Sequence, residues 1–215
     1  MPTVIGAPAS PFVRKVRVVL AEKKIPYDLE PLIPINVSPE FRRISPLGKI
    51  PVLRDGNLTL PDSSAICAYL ERKHPEPPLF PRQADELGRA LWFEEYGDTA
   101  LTQVAGAKVF FKKIVAPRFL GQPVDEAGIR QAVEQDLPPL FDYLESQLGD
   151  AEGIAGGRFS IGDVGIVTHF VNLRHAGVGV DPQRWPRLAR YVARTLERPS
   201  FAALWTEEAP LLGSA

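Results

Sequence analysis

One cysteine in 215 residues, Cys67, leaves nothing for an internal disulfide framework or a cysteine-based metal cluster. Set between Ile66 and Ala68 in a helical pattern, it reads as a small core residue. The three histidines, His74, His169 and His175, show no ligand spacing with nearby carboxylates, so no metal is expected. No apolar run approaches the roughly 18 residues that a bilayer-crossing helix needs. Charge of neither sign dominates: a net charge of −1 removes any global reason to expect nucleic acid or membrane as a partner. Met1-Pro2-Thr3 leads into a short strand with no basic stretch before an apolar one, so no secretory leader is expected. The expectation is a soluble, cytoplasmic protein.

What is present is the composition of an ordinary globular chain, 45% hydrophobic and 24% charged, long enough for one large domain or two modest ones. Residues 1–80 carry 11 Lys and Arg against 8 Asp and Glu, while residues 81–215 carry 14 against 18. The mild basic bias of the first part suits a small anionic ligand. That part alternates β-like and helical runs. Strands are expected at Thr3–Gly6, Tyr27–Ile33, Pro51–Arg54 and Leu58–Leu60, the last two joined across Asp55-Gly56-Asn57. Helices are expected over 11–24, near 39–44 and over 63–73, which gives the order β-α-β-α-β-β-α. "HPEPPLFPR", residues 74–82, has four prolines and reads as a linker. Everything beyond is helical in pattern. Residues 84–116 show apolar periodicity at Leu87, Leu91, Trp92, Tyr96, Leu101 and Val104. Residues 125–148 turn Val133, Leu137, Leu140, Phe141 and Leu144 inward, with a bend at Pro138-Pro139. A third helix starts after Phe159, and shorter ones follow at 185–197 and 200–206.

Two helix starts stand out. In "ASPFVRKV", residues 9–16, Ser10 occupies the N-cap and Pro11 the first helical position. Phe12, Val16, Val19 and Leu20 then form one apolar face. In "RFSIGDVGIVTHFV", Ser160 and Asp163 form an S-x-x-D capping pattern flanked by Phe159 and Val164 as a hydrophobic staple. Asp163 therefore reads as a structural device and not as a catalytic carboxylate.

"ASPFVRKV" at 9–16, "SPLGKIPVL" at 45–53 and "LPDSSAICAYL" at 60–70 occur in one order, ahead of a Pro-rich linker and a helical half. Together they resemble a cytosolic-type glutathione transferase with a serine-type active site, similar to the tau/zeta/theta-like branch, and the resemblance spans essentially the whole chain. It implies an α/β thioredoxin-like N-terminal domain over 1–76, a linker over 77–83, and an all-α C-terminal helical domain over 84–215 that forms the electrophile pocket. It also implies glutathione as co-substrate, no metal, a role in detoxification, a small hydrophobic electrophile as the second substrate, and a homodimer.

Residue by residue, the resemblance assigns Ser10 to the thiol of glutathione, as a donor that stabilises the thiolate. The "SPF" form lacks the cysteine of Cys-Pro-Phe relatives, and a hydroxyl cannot form a mixed disulfide. "APASPF" likewise lacks the Ser-Ser-Cys run of the maleylacetoacetate isomerase branch. Ile50, before a cis Pro51, would pair its backbone with the cysteinyl part of glutathione, and Phe12 lies beside it. Asp62 and Ser63, opening a helix, would hold the γ-glutamyl ammonium and carboxylate. Most of the family has Glu where this chain has Asp62. Lys49 would meet the glycyl carboxylate. Tyr96, Val104, Lys108 and Phe111 are candidates for the electrophile pocket, with Phe110, Trp205, Leu211 and Leu212 as further neighbours. Hydroperoxide reduction beside conjugation, a non-catalytic carrier or scaffold of the same fold, and a glutathione-dependent isomerase or dehalogenase all remain open.

Overall fold

The computed structural model describes residues 1–213; residues 214–215, the end of the 84–215 domain, lie outside the described residues. The chain divides into two compact units, Met1–Phe80 and Pro81–Ala215.

In the first unit, strands β1 (Thr3–Ile5), β2 (Asp28–Glu30), β3 (Val52–Asp55) and β4 (Leu58–Pro61) form one sheet in the order β2-β1-β3-β4. β1 runs parallel to β2 and antiparallel to β3, and β3 runs antiparallel to β4. The β3–β4 hairpin closes on the two residues Gly56-Asn57, and Gly56 takes the φ of +60° that this tight turn requires. β2 is shorter than the sequence pattern suggests. Pro31 and Pro34 lack the N–H that a longer ladder needs, so the strand stops at Glu30.

Helices α1 (Pro11–Glu22), α2 (Pro39–Ile44) and α3 (Ser63–Lys73) complete the unit, with α1 and α3 packed on each other and on the sheet. α1 is not the one-faced helix that its apolar spacing predicts. Phe12 is only half-buried, Val13 and Val18 join the core, and Arg14, Lys15 and Arg17 are also buried. The basic side chains tolerate this because each finds oxygen acceptors. Arg14 Nη2 donates to the Ala9 carbonyl at 3.2 Å, Lys15 Nζ to Ser64 Oγ at 3.0 Å, and Arg17 Nε to Tyr27 Oη at 2.8 Å. Just past the helix, Lys23 Nζ reaches the His74 and Pro77 carbonyls and lies 2.6 Å from Glu71. Cys67 is buried in α3.

The second unit is helical: α4 (Ala84–Tyr96), α5 (Ala116–Leu120), α6 (Glu126–Gln131), α7 (Leu137–Gln147), α8 (Ile161–His175), α9 (Pro186–Leu196) and α10 (Pro199–Leu212). π-type segments with i→i+5 pairing connect α4 to α5 (Gly97–Val115) and α6 to α7 (Ala132–Asp136). Pro138 and Pro139 therefore sit in the first turn of α7, directly after such a segment. α8 is the axis, buried from Ile161 to Leu173 and packed against α4, the long π segment, α9 and α10.

The α4–α8 contact corrects the sequence stripe. Leu91 and Trp92 are exposed, whereas Ala90, Phe93, Glu94 and Tyr96 face inward. The reason is a close approach of backbones. A Cβ at Gly97 would lie 2.3 Å from the Gly165 carbonyl oxygen, and one at Gly165 would lie 2.8 Å from Glu94 Cα. Helices that close leave no room for an indole between them, and Trp92 instead donates Nε1–H to Tyr143 Oη at 2.6 Å. Beyond Gly97 the wider turn carries Leu101, Ala105, Val109 and Phe110 inward, so Val104 is half-buried and not core.

At the start of α8, Asp163 closes the capping box. Its carboxylate accepts from Ile154 N–H at 2.8 Å, Ser160 N–H at 2.7 Å, Ser160 Oγ at 3.0 Å and Tyr191 Oη at 2.7 Å. Burial pushes its pKa up, while these hydrogen bonds pull against that rise. Asp163→Ala strands at least three buried donors and is expected to lower the unfolding free energy by about 3 kcal/mol or more. Gly97→Ala, which drives a methyl into the α8 backbone, is expected to cost about 1–3 kcal/mol. Urea denaturation of both variants checks these values.

Candidate active site

Sheet register decides which chain segments meet in the first unit. Ile5, the last residue of β1, pairs with Val52, the first of β3, and Val52 pairs with Pro61, the last of β4. The β1–α1 connection, the Ile50-Pro51 entry to β3 and the Asp62 exit from β4 therefore lie at one end of the sheet. The sequence candidates Ser10, Ile50, Pro51, Asp62 and Ser63 all fall on these segments.

Ser10 is half-buried at the N-cap of α1, with φ −68° and ψ 130°. Its Oγ accepts from Val13 N–H over a long 3.5 Å, and its carbonyl accepts from Arg14 N–H at 2.8 Å. The capping bond uses the oxygen as acceptor, so the hydroxyl proton is free to donate elsewhere. No acidic residue stands in the first turn of α1 to offset its positive end.

The Ile50-Pro51 bond is cis, and Ile50 is buried just ahead of β3. The β3 ladder begins at Val52, which leaves the Ile50 main chain outside it. The sequence pattern places Gly6 at the end of the first strand, but β1 stops at Ile5 and the site depends on Gly6 as a loop residue. Its φ is +156°, and a Cβ there would lie 2.5 Å from Val13 Cγ2 and 3.2 Å from Ile50 Cβ. Only glycine lets the loop toward Ser10 pass between α1 and Ile50. A single glycine directly after a strand was the available signal.

Asp62 is the N-cap of α3, and its Oδ1 accepts from Ala65 N–H at 3.0 Å. Its φ of +81° is unusual for a non-glycine residue and costs on the order of 1–3 kcal/mol. Ser63, the first helical residue, is buried, and the neighbouring Ser64 Oγ takes the hydrogen bond from Lys15 described above. Lys49 is exposed, with its main chain held by Ser45.

In the helical unit, Tyr96 is buried in an aromatic cluster. Its ring lies 5.0 Å from that of Tyr143 and 6.1 Å from that of Trp92, and its hydroxyl donates to the Leu140 carbonyl at 3.3 Å. Val104 is half-buried, Phe111 is exposed, and exposed Lys108 pairs with Asp136 at 2.9 Å. Phe110 and Leu212 are buried and Leu211 is exposed. Trp205 stacks on His175 with ring centroids 4.3 Å apart, and the Arg174 guanidinium lies 3.9 Å from the Trp205 ring centroid. Among the described residues, no group of three or more His, Cys, Asp or Glu is arranged to hold a metal ion, and no helix is long and apolar enough to cross a membrane.

Residues 4–78 match the model of the glutathione S-transferase N-terminal domain, and residues 127–194 match that of the C-terminal domain. The chain belongs to the glutathione S-transferase family. A zeta-class glutathione S-transferase of Euphorbia esula is 30% identical over 91% of this chain and 86% of its own length. FtsZ-localized protein A of Caulobacter vibrioides is 27% identical over 97% of this chain and 92% of its own length. Among solved structures, a glutathione S-transferase from Rhodospirillum rubrum F11 superposes with a TM-score of 0.87 at 26% identity, covering 95% of this chain and 91% of the other. The fold is thus the family's thioredoxin-like domain followed by an all-α domain, and the activity is that of a glutathione S-transferase.

Burial pushes the Tyr96 phenol up to about 12, and the neighbouring Tyr143 adds to the rise. At neutral pH this glutathione transferase therefore has a neutral, inward-pointing phenol at position 96. Phenolate absorbance near 295 nm is expected to show a component, lost in Tyr96→Phe, titrating about two pH units above an ordinary phenol, beside Tyr191, which burial also raises.

Proposed function

We propose that this glutathione transferase binds glutathione at the end of the sheet in its first unit and activates the thiol as a thiolate, with Ser10 as hydrogen-bond donor. The observation that carries this reading is the Ser10 hydroxyl, with its proton uncommitted, at the positive end of α1 and at the same end of the sheet as Ile50 and Asp62. An ordinary thiol has a pKa of about 8.5, and bringing it to about 6.5 takes roughly 2.7 kcal/mol of preference for the anion. A hydrogen bond to a charged acceptor contributes about 1.5–3 kcal/mol. A helix N-terminus adds up to about 2 kcal/mol when partly buried. The two together suffice without a general base, so Ser10 acts as a donor and not as a nucleophile.

The rest of glutathione finds complementary groups on neighbouring segments. The main chain of Ile50 pairs with the cysteinyl unit, with Phe12 beside it. The first turn of α3, led by Ser63, takes the γ-glutamyl carboxylate. Asp62 takes the ammonium with Oδ2, since Oδ1 is already used by Ala65. Lys49 takes the glycyl carboxylate. The thiolate then attacks an electrophilic carbon: a carbon–sulfur bond forms and the leaving group departs, or a proton is taken up in an addition. Tyr96, Val104, Lys108 and Phe111 of the helical unit are the proposed contacts of a small hydrophobic electrophile. Aryl halides and enals are the substrate classes to assay for this step; with an organic hydroperoxide the thiolate attacks the peroxide oxygen instead, an alcohol leaves, and a second glutathione converts the resulting sulfenic acid to the disulfide and water. A homodimer, a cytoplasmic setting and a role in detoxification belong to the same reading.

Ser10→Ala is expected to lower kcat/KM with an aryl halide by about ten-fold or more, while the Kd for glutathione stays within a few-fold of the parent. The thiolate absorbance of bound glutathione is expected to titrate about one to two pH units higher in the variant. Parent-like turnover by Ser10→Ala defeats the mechanism. Retention on immobilised glutathione with no turnover of any of the three substrate classes would favour a carrier.

A further inference from the structure

The turn between α2 and β3 is organised by a single hydroxyl. Ser45 is the C-cap of α2, buried to 2% exposure, and its N–H donates to the Phe41 carbonyl at 2.9 Å. Its Oγ donates to the Lys49 carbonyl at 2.6 Å and accepts from the Lys49 N–H at 3.1 Å. One side chain thus satisfies both main-chain groups of residue 49. Gly48 N–H donates to the Ser45 carbonyl at 2.8 Å and closes the turn from inside. Gly48 has φ +65°, and a Cβ there would come 3.0 Å from Arg42 Nη1 and 3.2 Å from Val37 Cγ2. The turn is therefore packed on its outer side as well, and it has one compact arrangement.

This arrangement fixes the Cα–Cβ direction of Lys49, whose side chain is exposed. A lysine ammonium on a four-carbon stem is a mobile charge, and holding it for a carboxylate costs rotamer freedom. Fixing its backbone removes part of that cost before the ligand arrives. We propose that Ser45 is a positioning residue for the glycyl end of glutathione, acting through Lys49. The proposal rests on the reading that the first unit binds glutathione, and it adds a group that touches no ligand atom.

The test compares steady-state kinetics of the parent, Ser45→Ala, Lys49→Ala and the double variant. The thiol substrates are glutathione and γ-glutamylcysteine, which lacks the glycyl carboxylate. Ser45→Ala is expected to raise KM for glutathione about five-fold, with kcat within about two-fold and KM for γ-glutamylcysteine unchanged. The double variant is expected to be no worse than Lys49→Ala, because both substitutions remove the same contact. Ser45→Thr, which keeps the hydroxyl, restores the parent KM. Ser45→Cys keeps the volume, weakens both bonds and carries the same comparison if the alanine variant does not fold. An unchanged KM, an equal rise for both thiols, or effects that multiply in the double variant overturn the role of Ser45. A parent protein that shows no saturable use of glutathione overturns the underlying reading instead.

Discussion

The row of the sheet that joins Ile5, Val52 and Pro61 across three strands is the constraint on which the rest of the first unit depends. Strand direction converts it into function. β1 leaves the row toward α1, β3 enters it from the Ile50-Pro51 segment, and β4 leaves it toward α3. Residues 40 and 52 positions apart from Ser10 in sequence are thereby delivered to one end of the sheet. Val4, Ile5, Val52 and Leu53 are all buried, so these central strands pack on both faces. The meeting of these segments is thus set by strand pairing and core packing, with local caps such as Asp62 shaping each segment's end.

In the helical unit the equivalent constraint is the approach of α4 and its π-type continuation to α8. Glycine at 97, 162 and 165 lets backbone meet backbone, and this consumes the space that larger side chains would otherwise fill. The consequence reaches the surface: Leu91 and Trp92 turn outward, and the aromatic cluster of Trp92, Tyr96 and Tyr143 forms on that flank. Asp163 works in the same first turns of α8, between Gly162 and Gly165. It ties the start of α8 to Ile154 and to Tyr191 of α9, so a helix with almost no polar face still has a defined beginning.

What was legible in the sequence follows the range of the forces involved. Ser10, Asp62 and the Ser160–Asp163 pair are local devices, and each appears as the cap its neighbours imply. The hairpin at Gly56-Asn57 is local in the same sense. α1 was misjudged because acceptors for Arg14, Lys15 and Arg17 come from residues 9, 64 and 27, and no helical period encodes them. The stripe through Leu91 and Trp92 failed because glycine contributes nothing to an apolar pattern while deciding how closely helices pack. Gly6 and Ser45 were overlooked for a related reason. Gly6 acts through the space it leaves for Val13 and Ile50, and Ser45 through the main chain of Lys49, so neither role shows in a local pattern.

The chemistry proposed for Ser10 also depends on what the cap does not use. A short, strong bond from Val13 N–H would tie the hydroxyl oxygen to the helix and leave less of it to reorient. At 3.5 Å the cap is weak, and the serine oxygen can accept from the backbone while its proton points to an incoming anion. The first turn of α1 holds no carboxylate, so the unpaired N–H groups of the helix start keep their partial positive charge. In the proposed mechanism, a sulfur anion arriving at the helix end meets the Ser10 donor and the helix's positive end already in place, with little left to reorganise. That is the condition under which a single hydroxyl is enough.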